Sequence, residues 1–119
     1  MIKFIENYFA HSDERGSIKG LFNFGTWEEG NLITSNAGTI RGGHYHKGTN
    51  ELFIILDGRI EITTKELGGD KEVVSVVTTG DVFFIEPNIV HTFKCIEDSR
   101  WINVLSKKME QVSPDFYRE

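Results

Sequence analysis

Between Gly38 and Gly58 the chain reads GTIRGGHYHKGTNELFIILDG, which gathers His44, His46 and Glu51 into a span of eight residues. Side chains on a strand alternate between faces, so His44 and His46 point one way while Tyr45 points the other. The segment KGTN then turns the chain, and Glu51 opens the next strand beside them. Two imidazoles and one carboxylate thereby come within reach of a single metal ion. A third imidazole, His91, is available downstream. This donor set suits Zn, Fe, Mn, Ni or Co, and ligand softness alone does not choose among them.

The rest of the chain is consistent with strands and tight turns. Its 119 residues include 12 Gly and only two Pro, with abundant aromatic and β-branched residues. The length predicts one domain over residues 1–119, able to bury a core without staples. A net charge of −5 argues against broad binding to nucleic acid or a membrane surface, and leaves room for a local basic pocket. Cys95 is the lone cysteine, so no internal disulfide forms, and the TFKCI pattern buries it. The N-terminus carries Glu6 and Asp13 and no long apolar run, which reads as neither signal peptide nor membrane span. A cytoplasmic location is expected.

Along the chain, IKFIE at residues 2–6 predicts an edge strand, HSDERGS a turn, and SIKGLFNF at 17–24 another strand. TWEEGN reads as a loop and NLITS as a short strand. LFIILDG followed by RIEITTKEL predicts a hairpin turned at Asp57-Gly58. GGDK and Gly80-Asp81 mark further turns before EVVSVVT, VFFIE, TFKCI and RWINVLS. The polar tail KKMEQVSPDFYRE reads as a short helical turn or an arm on a neighbouring subunit. Strands at this spacing suggest a sandwich or barrel.

The stretch resembles the first signature of the cupin superfamily: Gly, five residues, His-x-His, a gap, Glu, six residues, Gly. Here these are Gly38, His44, His46, Glu51 and Gly58. The second signature is similar to GDVFFIEPNIVHTFKC, with His91 eleven residues after Gly80. There the family's Pro falls on Glu86, its Gly on Asn88 and its Asn on Cys95. The resemblance implies an all-β, double-stranded β-helix (jelly-roll) barrel with a metal site at His44, His46, Glu51 and His91.

Two shorter matches narrow this. RGGHYH looks like a segment of the deoxysugar epimerases acting on nucleotide-linked 4-keto sugars, and DERGS like an element of those enzymes and of 3,4-ketoisomerases. The C-terminal cupin domain of the capsular-polysaccharide epimerase/reductase is closer still, and Ser113-Pro114-Asp115-Phe116-Tyr117 is similar to its end. The resemblance implies a sugar-nucleotide substrate and surface-polysaccharide biosynthesis. Arg41, before Gly42-Gly43, and Lys47 are the candidate substrate-binding cations. In metal-free relatives the histidine matching His44 is the catalytic base, a role that excludes ligation through the same nitrogen. Position 46 is often glutamine there, and His46 here favours one divalent metal ion. A homodimer is expected, because most cupins are dimers and the chain leaves β-edges exposed. A metal-dependent dioxygenase and a non-catalytic sugar- or metal-binding module are the alternatives.

Overall fold

The computed structural model describes residues 1–119 as β-strands joined by turns, without an α-helix. No helix is long and apolar enough to cross a membrane. The strands are β1 (Lys3–Phe4), β2 (Phe9–Asp13), β3 (Gly16–Gly20), β4 (Glu29–Ser35), β5 (Ile40–Tyr45) and β6 (Glu51–Asp57). They continue as β7 (Arg59–Glu66), β8 (Glu72–Thr78), β9 (Val82–Ile85), β10 (Ile89–Cys95), β11 (Ser99–Leu105) and β12 (Tyr117–Arg118). One five-stranded sheet runs β1-β9-β6-β11-β4, and a second runs β12-β5-β10-β7-β8. All pairings are antiparallel. The two sheets form the expected jelly roll.

The core lies between them because alternate residues face inward. On β7, Ile60, Ile62 and Thr64 are buried while Arg59, Glu61 and Thr63 alternate outward. Phe53 and Ile55 from β6, Phe83 from β9, Phe93 from β10 and Trp101 from β11 complete the cluster. Each such apolar side chain contributes about 1.5–3 kcal/mol by leaving water. Phe53 and Phe83 stack with ring centroids 4.9 Å apart. Cys95 is buried among them, as its sequence context predicts.

Asp57-Gly58 does not turn a hairpin. β6 pairs with β9 and β11, whereas β7 pairs with β8 and β10, so the chain crosses here from one sheet to the other. The crossing lets Ile55 and Ile60 meet across the sandwich rather than lie in one sheet. Gly58 has φ 104°, and a Cβ there would strike the backbone of Asp98 and Ser99. GGDK does close a true hairpin, between β7 and β8.

HSDERGS also differs from its reading as a turn. His11, Ser12 and Asp13 belong to β2, which pairs with β3, and only Glu14-Arg15 turns. The Asp13 carboxylate tightens that turn by accepting from the Arg15 backbone N–H at 2.9 Å. The tail is not a helical turn. It folds back so that β12 pairs with β5, Tyr117 opposite Tyr45 and Arg118 opposite His44.

Candidate metal centre

The site sits at one end of the space between the sheets, and a bulge sets its register. On β10, His91 lies opposite His44 and Thr92 opposite Gly42, so Gly43 is the extra residue on β5. Gly43 donates its N–H to Thr92 Oγ1 at 3.0 Å. Gly42 has φ 139°, and a Cβ on it would run into the His91 carbonyl oxygen and Thr92 Cα. The glycine pair thus serves strand contact across the bulge. The bulge brings His44 against His91, with ring centroids 4.4 Å apart.

His46 follows β5 and Glu51 begins β6, as strand alternation and the KGTN turn predict. Asn88, where the family resemblance calls for glycine, takes a left-handed φ of 64° and donates its N–H to the His46 carbonyl at 2.7 Å. One donor atom from each of His44, His46, Glu51 and His91 lies within 4.8 Å of all the others. His46, Glu51 and His91 are buried, and His44 is half-buried.

The local chemistry fits a cation. Glu51 Oε1 stands 2.6 Å from His46 Nε2 and 3.2 Å from His91 Nε2. None of these three buried atoms has a partner in hydrogen-bond alignment. Orphaned polar atoms in a protein interior are costly unless a further group satisfies them. The other ring nitrogens are occupied: His46 Nδ1 donates to the Asp115 carbonyl at 2.5 Å and His91 Nδ1 to the Ile89 carbonyl at 3.0 Å. These bonds place a proton on Nδ1 of each ring and turn each Nε2 toward Glu51, the usual support of a metal-binding histidine. Asn103 Nδ2 holds the second Glu51 oxygen at 3.0 Å.

The charges respond accordingly. Burial pushes the Glu51 carboxyl up, but His46 and His91 beside it hold it below the usual carboxylate range. Burial pushes His46 down, and Glu51 and Asp115 outweigh it, raising the ring above its ordinary value. Burial, with His91 nearby, lowers His44 to about 4, so its imidazole is neutral. Neither ring nitrogen of His44 makes a hydrogen bond. Its ring stacks on Phe116 instead, centroids 4.6 Å apart.

A cavity of about 600 Å³ opens from this cluster, within the range of small-molecule sites. Phe53, Phe93 and Trp101 form its apolar wall, and the Trp101 indole N–H has no partner. Arg41 and Arg118 line the cavity and are exposed. Arg41 donates through Nε to Ser35 Oγ at 3.1 Å, and Arg118 through Nη1 to the Gly42 carbonyl at 2.8 Å. Lys47 is not among the lining residues; its ammonium lies over the Tyr117 ring, 4.3 Å from the centroid. Asn103, within the RWINVLS strand, and Asp115 and Phe116, within the SPDFY match, received no role at the site from the sequence, and nor did Arg118. Asn103 carries a signal, being polar on the inward face of β11 between Trp101 and Leu105.

A family model described as a cupin domain matches residues 31–105. No curated protein matches the sequence. Among solved structures, the chain is similar to the capsular polysaccharide assembling protein CapF from Staphylococcus aureus. That alignment has a TM-score of 0.72 at 21% identity and covers 92% of this chain and 33% of CapF, so the chain spans about a third of that protein. It is also similar to QdtA, a sugar 3,4-ketoisomerase from Thermoanaerobacterium thermosaccharolyticum in complex with TDP. There the TM-score is 0.77 at 17% identity, over 99% and 88% of the two chains. The dTDP-4-dehydrorhamnose 3,5-epimerase from Sulfolobus tokodaii aligns with a TM-score of 0.75 at 21% identity, over 98% and 81%. At these identities the likeness is one of fold.

Proposed function

The chain belongs to the cupin domain family, and from that premise we propose that it is a metal-binding epimerase or isomerase of a nucleotide-linked keto sugar. One observation carries the reading. His46 Nε2, His91 Nε2 and Glu51 Oε1 are buried, lack an aligned hydrogen bond and converge at the end of a ligand-sized cavity. In this reading residues 1–119 act as one cupin unit, His46, Glu51 and His91 hold a divalent cation, and His44 is the base. The division follows the hydrogen bonds: His46 and His91 are each fixed through Nδ1, and His44 is not. Three protein ligands and an open position are the usual pattern of a catalytic site.

When bound, the cation supplies positive charge at the ketone oxygen of the substrate. His44 takes the proton from the carbon beside the ketone, and the electron pair of the broken C–H bond passes to the ketone oxygen. Return of a proton to the opposite face of that carbon inverts the centre. Return to the former ketone carbon, with the hydroxyl hydrogen of the first carbon passing to the former ketone oxygen, moves the ketone by one position. Phe53 and Phe93 keep bulk water from the reacting carbon. Arg41, anchored to Ser35, offers planar donors to a diphosphate, and Arg118 adds a second guanidinium. The likeness to a ketoisomerase bound to TDP and to a dTDP-sugar epimerase supports a sugar-nucleotide substrate. The likeness to CapF supports a place in surface-polysaccharide assembly.

The test is proton exchange in heavy water. TDP- and UDP-linked 4-keto sugars are incubated with the protein loaded in turn with Zn, Fe(II), Mn, Ni or Co. Deuterium is expected at the carbon beside the ketone, without oxygen consumption. No deuterium at any loading overturns the reading, and oxygen uptake by the iron form replaces it with a dioxygenase.

A further inference from the structure

The tail segment Ser113-Pro114-Asp115-Phe116-Tyr117 has no part in the chemistry above, yet it touches His44, His46 and the turn that leads to Glu51. Asp115 acts twice. Its carbonyl accepts the Nδ1–H of His46 at 2.5 Å. Its carboxylate accepts from the backbone N–H of Lys47 at 2.8 Å, the N–H of Gly48 at 2.9 Å and the Thr49 hydroxyl at 2.8 Å. These three donors form the turn that joins His46 to Glu51. A single residue therefore orients one ligand and braces the turn leading to the next. Phe116 stacks on His44, and Tyr117 stacks on Tyr45 with centroids 5.5 Å apart.

The hold is local. Between β11 and β12 the tail has no regular structure, and Val112 is 84% exposed. None of Asp115, Phe116 or Tyr117 belongs to the apolar core. The docked tail can thus separate from the centre without unfolding the sheets.

We infer that Asp115 is a positioning residue for the metal centre, and that residues 115–118 form a strap whose docking is coupled to cation binding at His46, Glu51 and His91. The inference rests on the metal reading above. A cation on His46 Nε2 makes the Nδ1–H a stronger donor and tightens its bond to the Asp115 carbonyl. By linkage, whatever the cation adds to strap docking the strap adds to cation affinity. The strap also closes over His44, so one segment serves both the ligands and the base.

Zn²⁺ affinity is measured by competition with a chromogenic chelator, on the full chain, on Asp115→Ala, on Asp115→Asn and on a chain ending at Val112. Co²⁺ spectra report ligand geometry in each. Removing the strap takes away the carbonyl partner of His46 and is expected to weaken Zn²⁺ binding about 10- to 100-fold, the usual effect of losing a partner that supports a ligand. Asp115→Ala keeps that carbonyl, loses only the brace on the turn and is expected to weaken binding less. Both changes shift the Co²⁺ band, and Asp115→Asn, which keeps one acceptor oxygen, recovers part of the Asp115→Ala loss. In the unaltered chain, Zn²⁺ is expected to slow backbone hydrogen exchange over residues 115–118. Equal affinity with and without the strap, or exchange there unchanged by Zn²⁺, overturns the coupling while leaving the metal reading intact. A full chain that binds neither ion overturns both.

Discussion

His46 Nδ1 lies 2.5 Å from the carbonyl oxygen of Asp115, across 69 positions of sequence. His91 makes the equivalent bond within its own strand, to Ile89 at 3.0 Å. Two rings, one just past β5 and one on β10, are thus held through Nδ1 in the same way, one by its own strand and one by the far end of the chain. Both turn their Nε2 atoms toward Glu51. His44 has no such bond, and this difference separates the members of a cluster that sequence spacing treats alike.

The first prediction concerns occupancy. The protein purified without chelators is expected to hold close to one divalent cation per chain by elemental analysis. His46→Gln and Glu51→Gln each remove a donor, and their loss should exceed the roughly 10- to 100-fold that a supporting partner contributes. Equal metal content in all three proteins contradicts the assignment.

His44→Asn separates ligand from base. With His46, Glu51 and His91 still in place, the variant should retain its cation with affinity within a few-fold of the parent. Carbon-proton exchange should fall by about 10²–10⁴, the usual contribution of a positioned base. A variant that loses the cation instead would return His44 to the ligand set. Elemental analysis and deuterium uptake on the same preparation distinguish the two.

Gly42→Ala tests the bulge. The added Cβ meets the His91 carbonyl oxygen and Thr92 Cα, both backbone atoms that cannot turn aside. The φ of 139° adds strain. Destabilisation by about 1–3 kcal/mol is expected from urea unfolding. Gly43→Ala has open space at its Cβ and should suffer mainly from its φ of 69°. Because the bulge places His44 opposite His91, Gly42→Ala should also weaken metal binding, which a purely peripheral defect would not.

Much of this was legible in the sequence, for local reasons. Alternation on β5 and β7, the turn at KGTN and the spacing from Gly38 to Gly58 depend on neighbours in the chain, and the histidines and Glu51 converge as read. Asp57-Gly58 misleads because glycine at positive φ suits a hairpin and a sheet-to-sheet crossing equally. Only the partners of β6 and β7 distinguish them, and those lie elsewhere in the chain. Asp115 was out of reach for the same reason. Its carbonyl is generic, and its carboxylate serves a turn more than sixty positions away. The SPDFY resemblance pointed at the segment without saying what it touched.

Arg41 and Lys47 give the last prediction, since sequence offers both as anion-binding cations and the fold treats them differently. Arg41 lines the cavity, its guanidinium held by Ser35 Oγ and the Thr34 carbonyl. Lys47 lies over Tyr117, outside the cavity lining. A charge-assisted hydrogen bond to phosphate contributes about 1.5–3 kcal/mol, so Arg41→Ala should weaken TDP binding by roughly 10- to 100-fold in calorimetry. Lys47→Ala should change it less than about 2-fold, because an exposed charge beyond the cavity is screened by salt. The Arg41 contribution should shrink as salt rises and Lys47 should show little dependence. Arg41→Lys should restore only part of the loss, since an ammonium cannot reproduce the planar pair of donors. Equal losses for Arg41→Ala and Lys47→Ala would mean that TDP spans the strap rather than entering the cavity, and would move the phosphate site to the Tyr117 side of β5.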